Sequence, residues 1–117
     1  MKRTTRLLAM VIACVALASC AKVENRMTVT NKSGDTVRKA TVTVCGVAYD
    51  FTDIPDGDAK TQKFSVKHDS SFQVDALLAD GTTLTTNFGY VTGGAGAYGN
   101  HADIEIAGDR RIVGKQK

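Results

Sequence analysis

Three stretches of the chain hold side chains whose types could do chemistry. His68-Asp69-Ser70-Ser71 brings together a base, an acid and a nucleophile, as in a serine hydrolase. Neighbours on a strand point to opposite faces and a turn exposes them, so the stretch reads as a strand-connecting turn. Asp50, Asp53, Asp56 and Asp58 crowd carboxylates as a calcium loop does. An EF-hand loop needs acidic ligands at alternate positions, glycine in sixth place and a distal glutamate. Here Pro55 interrupts and no such glutamate follows, so these are expected to be solvated turn carboxylates. Cys45, His68 and His101 could ligate zinc, but they show none of the paired spacing of a zinc site. No cofactor, metal or catalytic residue is expected, and Cys45 reads as a buried small apolar side chain.

The most unusual segment is Gly89 to His101. Its Gly94-Ala95-Gly96-Ala97-Tyr98-Gly99 satisfies the letters of a dinucleotide-binding loop. That loop must open a helix whose N-terminus meets the pyrophosphate, whereas Asn100-His101-Ala102-Asp103-Ile104 has strand character. Tyr90 and Tyr98 bracket the glycines, and Thr92, Asn100 and His101 accompany them. Tyrosine faces could stack on a sugar with Asn100 fixing its orientation, which makes this the candidate binding loop. The plainer reading is a mobile hairpin loop, because glycine density makes ordering entropically costly.

Cysteine 20 is a different matter. A basic patch, Lys2, Arg3 and Arg6, precedes the apolar run Leu7 to Leu17, which is too short to cross a bilayer and reads as an export signal. The following Leu17-Ala18-Ser19-Cys20 resembles the lipobox of bacterial lipoproteins. That resemblance covers about a sixth of the chain. It implies cleavage before Cys20, a diacylglyceryl thioether on its sulfur and acylation of the new amine, and several acyl chains make a durable anchor. Ala21 and Lys22 follow in place of an inner-membrane retention aspartate, so the resemblance implies an outer-membrane protein facing the periplasm.

Loss of the leader also changes the electrostatics. Three of the fifteen Lys and Arg residues leave with it, and the remaining twelve balance twelve Asp and Glu. A neutral domain offers no electrostatic footprint for nucleic acid. With Cys14 removed and Cys20 lipidated, Cys45 has no disulfide partner, and the fold must rest on its apolar core.

The elements that position these groups are strands. Apolar and polar residues alternate around Met27 and Val29, through Thr36 to Cys45, over Val47 to Phe51, at Phe64 and Val66, at Phe72 to Ala76, over Thr82 to Tyr90, and at Ile104 and Ile106. The first two runs flank Asn31-Lys32-Ser33-Gly34-Asp35 and are expected to form a hairpin. About seven short strands and no helix of consequence predict one small all-β sandwich, immunoglobulin-like or prealbumin-like. The expected organisation is a signal peptide over 1–19, a lipidated tether over 20–25, the sandwich over 26–113 and a tail over 114–117. Without a convergent catalytic set, the sequence points to a non-enzymatic envelope protein. Its loop or edge strand would meet a protein partner, with inhibition or immunity as one version. The alternative is a small-ligand binder, for glycan at the Tyr90–His101 loop or a metal ion at the Asp53–Asp58 turn.

Overall fold

The computed structural model describes residues 23–117. The leader and the lipobox with Cys20 lie outside the described residues. Eight strands follow one another: β1 (Asn25–Asn31), β2 (Val37–Val44), β3 (Val47–Ile54), β4 (Ala59–Phe64), β5 (Ser70–Leu78), β6 (Thr83–Val91), β7 (His101–Ile106) and β8 (Ile112–Gln116). Strands β1, β2, β5, β6 and β7 alternate a more buried with a more exposed position over most of their length, as the period of two demands.

The strands form two four-stranded sheets, ordered β4-β1-β7-β8 and β3-β2-β5-β6. In an immunoglobulin sandwich the first two strands share a sheet. Here they do not, so of the two expected types the prealbumin-like one remains. The expected β1–β2 hairpin is corrected on the same ground. β1 pairs antiparallel with β4 and parallel with β7, and the chain crosses from one sheet to the other between Asn31 and Val37. Alternation specifies a strand but not its partner.

The crossing is made possible by Asn31, which is fully buried. Its Nδ2 donates to the carbonyls of Asp35 (2.7 Å) and Ile54 (2.8 Å), and its Oδ1 accepts from the Ser33 amide and hydroxyl. One side chain thus satisfies backbone that a hairpin ladder would have satisfied. A true hairpin joins β2 to β3 through Cys45 and Gly46, both at positive φ (52° and 73°), the conformation of the two-residue turn that matches strand twist.

Met27, Val29, Val42, Val74 and Ile104 meet Phe51 and Phe72 between the sheets, all essentially inaccessible. An aromatic ladder runs across the core from Tyr49 through Phe64 and Phe72 to Phe88, with centroid separations of 6.5, 5.5 and 5.0 Å. The eighth strand had only Ile112 and Val113 to announce it. It pairs with β7 as far as Gln116, so the stretch from 114 expected as a tail is strand. Gly114 sits under Phe88 so closely that a Cβ there would lie 2.2 Å from the ring.

Strand direction divides the connections between two ends. At the Asn25 end lie the start of β1, the Cys45–Gly46 turn, the segment 65–69 and the long crossover 92–100. At the Asn31 end lie the turns at 32–36, 55–58, 79–82 and 107–111.

Candidate functional site

The glycine-rich segment is not a hairpin loop. It leaves β6 in one sheet and enters β7 in the other, with a single 3₁₀ turn over Gly94–Ala97. It is also locked in place. Asn25, 5% exposed, donates through Nδ2 to the Ala97 carbonyl (2.7 Å), while its Oδ1 accepts from both the backbone and the side-chain amide of Asn100 (2.9 Å each). Arg26 N–H donates to the Asn100 carbonyl and Gly99 N–H to the Val23 carbonyl. On the other flank Asp69 accepts from the Gly93 amide at 2.9 Å and from the Tyr90 hydroxyl at 3.3 Å. These bonds offset the entropy that the glycines would otherwise keep. Asn25 was not among the sequence candidates, since an asparagine before an alternating run looks like a tether residue.

The five loop candidates separate once the crossover is built. Asn100 faces inward, its Nδ2 donating to Asn25 and to the Gly96 carbonyl, so its amide donors hold the loop. The Thr92 hydroxyl packs under Gly96, where a Cβ would lie 2.0 Å from it. His101 stands on the outer face of β7 in register with Arg26. Tyr90 and Tyr98 are the exposed pair, at 58% and 51%. Tyr98 lines a groove of about 490 Å³ with Val23, Phe64, Val66, Lys63 and Lys67, whereas Tyr90 leans on Asp69. The negative charge of Asp69 pushes the Tyr90 phenol above its usual pKa.

The other candidates take structural positions. His68 and Asp69 form the β4–β5 connection, and the Ser70 hydroxyl accepts from the Cys45 amide at 2.9 Å. Cys45 is buried, with its thiol donating to the His68 carbonyl at 3.2 Å. The turn carboxylates diverge: Asp50 accepts from Thr41 on a sheet face, and Asp56 caps the Gly34 amide. Among the described residues no three His, Cys, Asp or Glu side chains gather as a metal site would require. At the Asn31 end, hydrogen bonds from the Thr82 hydroxyl and amide, together with the Arg110 guanidinium, hold the Asp80 pKa down at about 2. Lys63, which hydrogen-bonds Glu24, lowers that carboxyl too.

The sequence reading overlooked the outer faces of the two sheets. On β3-β2-β5-β6, three rungs face outward: Ala48, Thr43, Gln73 and Asn87; Asp50, Thr41, Asp75 and Thr85; Thr52, Lys39, Leu77 and Thr83. Around the 37%-exposed Leu77 lies a shallow depression of about 450 Å³. The face of β4-β1-β7-β8 instead sets Arg26, Lys63, Asp103, Glu105, Lys115 and Lys117 among its outward positions, several of them ion-paired. The signal was in plain sight: the outward residues of β2, β5 and β6 are mostly Thr, Asn and Gln.

The edges of the β3-β2-β5-β6 sheet are covered. Gln62 and Lys60 of β4 donate to the Asp50 and Thr52 carbonyls of β3. Gln116 of β8 accepts from the Tyr90 amide (2.7 Å) and donates to its carbonyl (2.6 Å), as a neighbouring strand would. A side chain in that place leaves little for an incoming strand to pair with.

No protein-family model and no curated protein matches the sequence. Among solved structures, the chain is similar to the NMR structure of a protein from Eubacterium rectale, at 16% identity and a TM-score of 0.54. The match covers 77% of this chain and 86% of that one. At that identity the likeness is one of fold alone: the same sandwich arises from a largely different sequence.

Proposed function

We propose that the protein is a non-enzymatic lipoprotein of the bacterial envelope. Cys20 anchors it to the outer membrane facing the periplasm, and the outer face of β3-β2-β5-β6 binds a protein partner. The observation that supports the binding face is its lower charge: three of its twelve outward positions, Asp50, Asp75 and Lys39, are charged, against the six named on the opposite face, and an exposed leucine lies among the twelve. Interface centres are depleted in charged side chains, because each must be stripped of water on contact, and hydroxyls and amides cost less to desolvate. The opposite face carries more ion pairs, whereas this one has the single pair Lys39–Asp50 at 3.7 Å among the described residues. Coverage of β3 and β6 by Gln62, Lys60 and Gln116 weighs against strand addition and for contact through the sheet face.

Site-specific photo-crosslinking in the native envelope tests this reading. A photoreactive residue at Thr41 or Thr85 is expected to give one discrete adduct, lost when Leu77→Arg is added. The same group at Thr28, on the opposite face, is expected to give none. Equal adducts from both faces, or none from either, would overturn it. Metabolic fatty-acid labelling tests the anchor: the wild type takes up label, and Cys20→Ala does not.

A further inference from the structure

The five exposed large apolar side chains of the described residues are unevenly distributed. Val23, Val47, Tyr90 and Tyr98 all lie at the Asn25 end, and only Leu77 lies elsewhere. Tyr98 and Val23 border the groove floored by Phe64 and Val66, and Lys63, Lys67 and one acid, Glu24, stand at its rim. Lys67 has no ion pair among the described residues, whereas Lys63 shares Glu24 with Arg26. Tyrosine beside lysine around an apolar patch is the composition of protein surfaces that sit at the headgroup level of a bilayer. There the ring is half in hydrocarbon and the ammonium reaches phosphate.

The chain outside the structure says what covers this patch. Val23 is fixed to the crossover by the bond from Gly99 N–H to its carbonyl. Cys20 lies three residues upstream, and three extended residues span at most about 11 Å. The headgroup layer of one leaflet is about 5–7 Å thick, taking half the difference between the whole bilayer and its hydrocarbon core. A lipid on Cys20 therefore keeps Val23 within about 4–6 Å of the headgroups even at full extension, close enough for the Asn25 end to settle on them. The opposite end offers nothing comparable. Its turns carry Asp35, Asp56, Asp58, Asp80 and Asp109 against Lys32, Arg110 and Arg111, which an anionic surface would repel.

We propose that the Asn25 end is a membrane seat. Val23 and Tyr98 enter the interfacial layer, Lys63 and Lys67 meet lipid phosphates, and the strands stand away from the bilayer with the Asn31 end outermost. The seat rests on the proposed acylation of Cys20, and it goes beyond it by fixing which way the domain faces.

The chain has no tryptophan, so Tyr98→Trp and Leu77→Trp each place a single fluorophore, one at the seat and one remote from it. The full lipidated protein is reconstituted into phosphatidylethanolamine–phosphatidylglycerol vesicles containing acyl-chain-brominated lipid. Quenching at least threefold stronger for Tyr98→Trp than for Leu77→Trp is expected, with a blue-shifted emission for the former. Adding Lys63→Glu and Lys67→Glu is expected to reduce that quenching by half or more. Equal, weak quenching of both positions in protein whose Cys20 is shown by mass spectrometry to be acylated would overturn the seat and leave the anchor standing. An unacylated Cys20 would overturn both. Shielding of the Tyr98→Trp fluorophore from aqueous iodide without quenching by brominated lipid would mean that a second copy covers the patch, and would also overturn the seat.

Discussion

The two ends of the sandwich solve one problem with one residue type and then diverge. Strand β1 begins and finishes on buried asparagines, each binding backbone that has left the sheets, Ala97 for Asn25 and Ser33 and Asp35 for Asn31. Asn31, itself fully buried, makes four hydrogen bonds and closes a tight crossing. Asn25 makes three and closes a longer crossover whose flanks are half exposed. Beneath them the core differs too: the aromatic ladder lies toward the Asn25 end, while Ile54, Leu78 and Ile106 fill the other. The lesson is that internal order does not require a uniform surface. One end is closed by polar bonds under acidic turns, and the other is closed the same way under exposed tyrosine and valine.

The largest effect is expected in the aromatic ladder. Phe72 is fully buried and touches rings from both sides. Phe72→Ala should lower unfolding stability by about 3–5 kcal/mol, a large part of the total for a domain of this size. Urea denaturation measures it, and a loss under about 1 kcal/mol would show that the ladder does not hold the Asn25 end together.

The two asparagines come next. Asn31→Ala removes four bonds made by a fully buried side chain, and about 3 kcal/mol of global stability should go with it. Asn25→Ala should cost less, about 1–2 kcal/mol, because water can reach the freed groups of the crossover. Its mark should be local: amide hydrogen exchange over 93–100 speeds up while the core strands stay protected. Equal global losses, with no local change for Asn25→Ala, would erase the distinction between the ends.

How much of this was legible in the sequence follows from what a one-dimensional pattern can carry. Val42, Val44, Phe72, Val74, Ile104 and Ile106 announced their strands by alternation, and the sandwich followed from their number. Partnership was not legible. The linker after Asn31 has hairpin length and hairpin composition, and only the burial of the Asn31 amide sends it to the other sheet. Strand β8 was legible only at its start, Ile112 and Val113, with fraying expected beyond, because its inward positions are Ile112, Gly114 and Gln116, whose purposes are set by Phe88 and Tyr90 on a strand in the opposite sheet. In the candidate site the exposed tyrosines were legible as types. The inward turn of Asn100 was not, since its partner lies 75 positions away.

Gly114 offers a sharper test of the Asn25 half of the core. An added methyl would meet the Phe88 ring, which is stacked on Phe72 at 5.0 Å and would have to shift from it. Gly114→Ala should destabilise by about 1–3 kcal/mol through overpacking, although alanine is otherwise the less costly strand residue. A thermal melt showing no loss would mean that β8 can slide away from β6.

The smallest expected effects are electrostatic and again set the ends apart. At the Asn31 end the Asp80 pKa lies at about 2, against 3.8 for an ordinary aspartate. A depressed folded-state value means that the ionised carboxylate favours the fold. Its contribution is whole above pH 3.8 and drains away as pH falls through 2, so Asp80→Asn should flatten the acid limb of the stability curve in that window. At the Asn25 end the shifted group is a phenol, and Asp69 raises it. Asp69→Asn keeps an oxygen for the Gly93 amide but removes the charge. The Tyr90 phenol should then titrate at lower pH, nearer its ordinary value, with the exchange of residues 93–100 unchanged. If exchange instead accelerates along with the shift, the carboxylate's charge, and not its hydrogen bond alone, holds that flank of the crossover. Tyr90 and Tyr98 would then share one support, and the two exposed tyrosines could not be varied independently.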